Sequence, residues 1–173
     1  IAAIKRYKPN IVIVFDMNAQ KLIAKKLLNK PNYSIVLAGV TDSRDLIKFK
    51  SSPNITGVLE KIPVKAIKEV LSLMFKKGRK IYYLSDDSAT ARQLDKDVPY
   101  DDWGEFKIVA HKKAITFSQW KKYVLEAQST ADMILISTYH TIINKKKHMS
   151  LIKLVDWTLK HSRIPVIGLD ESF

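Results

Sequence analysis

The chain has 173 residues, 46% hydrophobic and 27% charged, with only five glycines and six prolines, so disorder, collagen-like repeats and low-complexity tracts are excluded. Lys and Arg outnumber Asp and Glu by 30 to 17, a net charge of +13 that raises nucleic acid or an anionic surface as a partner. Only Arg6, Arg44, Arg79, Arg92 and Arg163 are arginines, the residue that forks onto bases and phosphates, and the lysines are scattered, which favours a solvated surface over a nucleic-acid site.

In chain order the pattern opens on an amphipathic helical segment already in progress, with no starting Met, N-cap or signal peptide, as in an internal piece of a longer protein. Short apolar runs then predict strands at 11–15, 35–40, 80–84, 106–111, 133–137 and 165–169. Between them, helices are predicted at 19–29, 64–76, 88–96, 117–127 and 151–161; Val64, Ile67, Leu71 and Met74, and again Phe117, Trp120, Val124 and Ala127, step by three, four and three. Most of the strands are apolar on both sides, which suits parallel strands covered by helices on both faces, an α/β doubly wound architecture. No run approaches the roughly 20 residues needed to cross a bilayer, so the chain is not expected to span a membrane.

The rhythm breaks at 41–60, where Ser51, Ser52, Pro53, Asn54 and Gly57 suggest a linker or crossing. This divides the chain into residues 1–57, the back half of a first lobe with its crossing, and 58–173, most of a second lobe.

In open parallel sheets ligands bind beyond the carboxyl ends of the strands. Those positions are polar here: Asp16 and Asn18, Thr41 and Asp42, Ser85, Asp86 and Ser88, Thr138 and Tyr139, and Asp170. For any one of them the simpler role is capping the next helix. Enzyme motifs are absent: no glycine-rich phosphate loop, no nucleophile elbow around Ser85, and the pair Asp86 and Asp87 lacks the further Asp and Lys of a phosphate receiver. No catalytic residue and no cofactor are expected. With no Cys, and with His111, His140, His148 and His161 lacking ligand spacing, neither is a metal.

Val40-Thr41-Asp42, then Pro53-Asn54-Ile55-Thr56-Gly57-Val58, then a helix and the strand Lys80-Ile81-Tyr82-Tyr83-Leu84, resembles the substrate-binding proteins of ABC transporters with a type I periplasmic-binding-protein fold. The likeness runs from Pro9-Asn10-Ile11-Val12 to Ile164-Pro165-Val166-Ile167, and its most specific piece is Asn54-Ile55-Thr56-Gly57. Ser43 and the Ser51-Ser52-Pro53 stretch depart from the family's usual residues, as does Asp16-Met17-Asn18 after the first strand.

The resemblance implies a two-lobed receptor that closes on a small polar, amino-acid-like ligand. The ligand contacts would be Asp16, Asn18, Thr41 and Asp42 in the first lobe, and Ser85, Asp86, Ser88, Thr138, Tyr139 and Asp170 in the second, with a hinge at Asn54, Thr56 and Gly57. Asp42 or Asp170 would pair with an ammonium, and Tyr139 would stack on the ligand. The implied setting is periplasmic or otherwise extracytoplasmic, with a lipid anchor conceivable upstream, and the implied partner is a membrane permease or a signalling protein. Two alternatives stand beside transport: the same fold as the sensing domain of a membrane signalling protein, and a basic α/β domain that binds nucleic acid.

Overall fold

A computed structural model describes residues 1–15, 19–40 and 52–169. The chain forms two compact units, Ile1–Lys61 and Ile62–Phe173. Each is built on a parallel sheet, so the chain is α/β.

In the first unit the helix Ala2–Tyr7 (α1) buries no residue, and Lys8, its C-cap, turns left-handed to end it. The β-branched run Ile11–Phe15 is β1, and Ser34–Val40 is β2. Between them a π-helical turn, Gln20–Ala24, runs into the short helix Lys25–Leu27 (α2). A third strand, Ile55–Leu59 (β3), completes the sheet in the order β1-β2-β3, all parallel. One face of this sheet, with Val14, Ile35 and Leu37, packs on Ala24 and Leu27. The other carries Ile11, Ile13 and Phe15, 60%, 59% and 66% exposed.

Strand β3 corrects the reading of 41–60 as wholly irregular and carries the first unit past residue 57. Thr56 and Gly57, expected to hinge, lie inside β3 in register with Val36 and Leu37. Asn54, also expected there, is a fastener within the unit. Its Nδ2 donates to the carbonyls of Leu27 (3.0 Å), Lys30 (3.0 Å) and Tyr33 (2.9 Å), and its Oδ1 accepts from the Asn29 amide and the Ser52 hydroxyl. Four of these five bonds fix the side chain to residues 27–33 and the fifth joins it to Ser52, which is the opposite of a swivel. The boundary between the units falls after Lys61, in an irregular stretch.

The second unit contains Val64–Met74 (α3), Lys80–Asp86 (β4), Ala89–Leu94 (α4), a 3-10 turn at Val98–Tyr100, Lys107–Ala114 (β5) and Phe117–Thr130 (α5). Met133–Ile136 (β6), the two-residue strands Ile143–Asn144 (β7) and Lys147–His148 (β8), Leu151–His161 (α6) and Val166–Gly168 (β9) follow. The main sheet runs β5-β4-β6-β9 and is wholly parallel, while β7 and β8 form an antiparallel hairpin.

Alternation along β4 feeds two cores. Tyr82 and Leu84, with Ile134 and Ile136, meet Trp120, Val124 and Ala127 of α5 and Leu154 of α6. Ile81 and Tyr83, with Met133 and Leu135, meet Val64 and Leu71 of α3, together with Val98, Trp103 and Phe106. Helices on both faces are what a strand buried on both sides demands. Helix α5 starts cleanly because Thr116 and Gln119 form a reciprocal capping box. It is tied to α6 by Trp120 Nε1, which donates to Thr158 Oγ1 at 2.8 Å. Gly78 sits at φ +83° in the turn before β4, where a Cβ would come within 3.1 Å of Asp132 Cβ, so this turn requires glycine.

Candidate functional site

The strand order of the second unit has a consequence for chemistry. Chain order places β4 first, β5 on one side of it, and β6 and then β9 on the other. The winding direction therefore reverses between β4 and β6. In open α/β sheets the crevice beyond the carboxyl ends of the two strands at such a reversal is where ligands bind, because the loops that leave them diverge to opposite faces. Here those ends are Ser85-Asp86-Asp87-Ser88 and Ser137-Thr138-Tyr139-His140.

The structure brings Asp86, Ser88 and Thr138 together. Asp86 is fully buried, and its carboxylate is a hub. Oδ1 accepts from Thr138 Oγ1 (2.7 Å) and the Ser88 amide (3.1 Å), and Oδ2 accepts from the Thr141 amide (2.8 Å) and Thr141 Oγ1 (2.9 Å). Burial by itself pushes this carboxyl's pKa up, but the bonds from Thr138, Thr141 and Ser88 outweigh it and hold the group below its ordinary value. The Asp86 amide also donates to the Thr138 carbonyl at 2.9 Å. Asp86 thus staples β4 to the loop after β6 and has both oxygens occupied, so it positions the crevice floor instead of meeting a ligand directly. Ser88 accepts from the Ala91 amide at 3.0 Å, the cap of α4.

Tyr139 is placed inside the core. Its ring is 2% exposed, tilted against Trp120 at 6.4 Å and stacked on His140 at 4.8 Å, so the phenol is not on the rim where stacking on a ligand was expected. The accessible groups on this rim are Asp87, Ser88, Arg92, His140 and Thr141. Arg92 is held by Asp87, through the carboxylate at 3.0 Å and the backbone carbonyl at 2.6 Å.

Ser85 points to the opposite face. Its hydroxyl donates to Asp95 Oδ2 at 3.1 Å, and the same oxygen meets Lys113 Nζ at 3.0 Å and His111 Nε2 at 3.3 Å. Asp95 Oδ1 and Ser137 Oγ are buried without a hydrogen bond among the described residues. The buried Tyr83 hydroxyl lies near both Asp95 and Ser137, yet neither approach closes into a well-formed bond; burial above all raises its pKa. This second polar cluster, beneath α4, ties α4's C-terminal end to β4 and β5.

Asp16, Asn18, Thr41, Asp42 and Asp170 lie outside the described residues. Asn54, Thr56 and Gly57 belong to the first unit's sheet, as above. Sequence reasoning missed Thr141 and the grouping of Asp95 with His111 and Lys113. The hydroxyl-rich stretch Thr138-Tyr139-His140-Thr141 was the visible signal for the first. The second has none, since Asp95 ends a helix and its partners sit on a strand.

Among the described residues no group of His, Asp and Glu could hold a metal ion, and no helix is long and apolar enough to cross a membrane. No family model matches the chain, and no curated protein matches it. Among solved structures it is similar to a conserved domain protein from Vibrio cholerae O1 biovar El Tor str. N16961, at 15% identity and a TM-score of 0.59. The match covers 98% of this chain and 56% of that one, so this chain spans about half the length of its neighbour, and at that identity the likeness establishes the α/β fold alone.

Proposed function

We propose that the chain is part of a two-lobed, non-catalytic solute-binding protein of the ABC-transporter type, working outside the cytoplasm and taking a small polar, amino-acid-like ligand. The observation that carries this reading is the reversal of the sheet between β4 and β6, with short polar side chains gathered at both strand ends. The resemblance around Asn54-Ile55-Thr56-Gly57 supports it. In this reading Asp86, Thr138 and Thr141 are positioning residues that hold the crevice floor. The ligand meets the rim at Ser88 and His140, and Asp42 or Asp170 receives its ammonium. Hinge closure follows because a ligand that touches both lobes binds the closed form better than the open one. A permease that reads the closed form is the partner.

Calorimetry with the standard amino acids, each added alone to the intact protein, tests this. One of them should bind, and Asp42→Ala or Asp170→Ala should weaken that binding by about 2 to 5 kcal/mol, the cost of stranding a desolvated charge. A surface change such as Lys65→Ala should cost almost nothing. If no amino acid binds, or if both Asp variants bind as the parent does, the reading fails.

A further inference from the structure

Residues 133–155 contain no Asp or Glu, yet they include Lys145, Lys146, Lys147 and Lys153 and two histidines. The hairpin β7–β8 gathers three of those lysines at one point. Its register, Ile143 opposite His148 and Asn144 opposite Lys147, leaves Lys145 and Lys146 as a two-residue turn. Both adopt left-handed backbone, at φ 48° and 66°. Turns of this kind are ordinarily made by Asn-Gly or Asp-Gly, because a Cβ is unfavourable there. Two lysines in this turn are therefore a local conflict between side chain and backbone, of the sort that clusters at functional positions.

The base of the hairpin is firmly seated. Thr141 is bonded twice to the buried Asp86, Ile142 is fully buried, and the Ile143 amide donates to the Ile115 carbonyl at 2.9 Å, just past the carboxyl end of β5. The tip is free. Residues 144–148 are all exposed, and among the described residues the side chains of Lys145, Lys146 and Lys147 make no hydrogen bond or ion pair. Among the described residues Lys68, Lys113 and Lys160 have a carboxylate and most other lysines do not, so what marks the tip is three unpaired lysines in succession on one turn. The tip also presents no apolar side chain to fill a shaped protein pocket and no arginine to fork onto a particular phosphate or base. Long, separately mobile ammonium groups suit a diffuse carpet of negative charge.

We infer that the β7–β8 hairpin is an electrostatic finger whose partner is an anionic phospholipid surface. The inference goes beyond solute binding and rests on that reading only in that a receptor serving a permease has a bilayer within reach. The finger works as a rigid stalk, stapled at Asp86, that presents three like charges ahead of the strand ends. Its attraction adds a modest increment per lysine and is screened by salt.

The test is co-sedimentation of the intact protein with vesicles of phosphatidylcholine alone or mixed with phosphatidylglycerol. The paired change Lys145→Asn with Lys146→Gly removes two charges while giving the turn its preferred residues, so loss of binding cannot be blamed on loss of the hairpin. The parent should bind only the anionic vesicles and release them as salt rises. The paired variant should bind on the order of 30-fold more weakly, from about fivefold per lysine. A control that removes Lys76 and Lys77 (both to Asn), from the turn leading into β4, should lose far less. Equal losses in variant and control, equal binding to neutral vesicles, or displacement by duplex DNA at salt where vesicles remain bound would each overturn the finger. Amino-acid calorimetry on the same proteins keeps the two readings apart: the finger predicts unchanged solute affinity in the paired variant, and solute binding can fail altogether while vesicle binding stands.

Discussion

The two parallel sheets start from similar strands and end in different states. In the second unit β4 is buried along Ile81 to Asp86, because α5 and α6 cover one face and α3 with the Val98–Phe106 segment covers the other. Among the described residues of the first unit only one face is covered, and Ile11, Ile13 and Phe15 stand exposed. An apolar, β-branched run therefore states that a strand forms. It does not state how many of its faces are sealed, since that depends on helices elsewhere in the chain. At the polar ends of β4 and β6 the loops are locked by Asp86, whose bonds reach across 52 and 55 residues.

The largest expected effect that sharpens this contrast is in the sealed core. Trp120 is fully buried and donates to Thr158, so Trp120→Ala should cost about 4 kcal/mol, from the lost aromatic and the cavity it leaves, while the Thr158 hydroxyl keeps its own bond to the Leu154 carbonyl. Urea unfolding followed by tryptophan fluorescence reads it, because all the tryptophans, Trp103, Trp120 and Trp157, lie in the second unit and two remain in the variant. A cost under about 1 kcal/mol would mean that the α5–α6 layer packs loosely.

Asp86 comes next. Asp86→Ala strands donors from Thr138, Thr141 and Ser88 and should cost about 3 kcal/mol by the same measurement. Its pH dependence has a definite sign. The folded pKa lies below the ordinary value of 3.8, so the stabilisation is fully present above about pH 4 and is lost as acid carries the pH down through the folded value. Urea midpoints between about pH 5 and pH 2 should fall more steeply in the parent than in Asp86→Asn. Parallel curves would show that the carboxylate is not the staple.

A smaller effect of opposite sign belongs to the hairpin. Lys145→Asn with Lys146→Gly should raise the stability of the second unit by about 1 kcal/mol, as two left-handed positions receive residues that tolerate them. No gain in the urea midpoint would mean that the turn is not strained as described. Smallest of all, Ile13→Ser on the open face should shift the melting temperature by less than an equivalent of about 0.5 kcal/mol. A loss above about 1.5 kcal/mol in scanning calorimetry would reveal that this face is covered in solution and would break the contrast between the sheets.

Much of the architecture was legible. The runs 11–15 and 151–161 match β1 and α6 because a β-branched run and a three-four spacing are local signals that no tertiary contact had to override. Strand β3 was not legible: Gly57 interrupts it and Pro53-Asn54 precedes it, both marks of a turn. The hairpin hid because Lys-Lys carries no turn signal. At the candidate site, the gathering of Asp86, Ser88 and Thr138 could be expected from their positions after strands, but not the inward aim of the Asp86 carboxylate. That direction is set by Thr141, a residue far along the chain that only the folded sheet brings near. Tyr139 misled for a related reason: a residue that follows a strand can turn back into the core when a bulky neighbour such as Trp120 leaves it a slot.

The claim that a small solute is read at the reversal between β4 and β6 is tested most directly by amide chemical-shift mapping on the isotopically labelled protein, titrated with each standard amino acid. The account predicts that at least one of them perturbs the amides of residues 86–92 and 137–141 together, at saturating and reversible occupancy, while the amino-terminal turn before β4 stays silent. Shifts confined to other surfaces, or no shift with any of them, would contradict it.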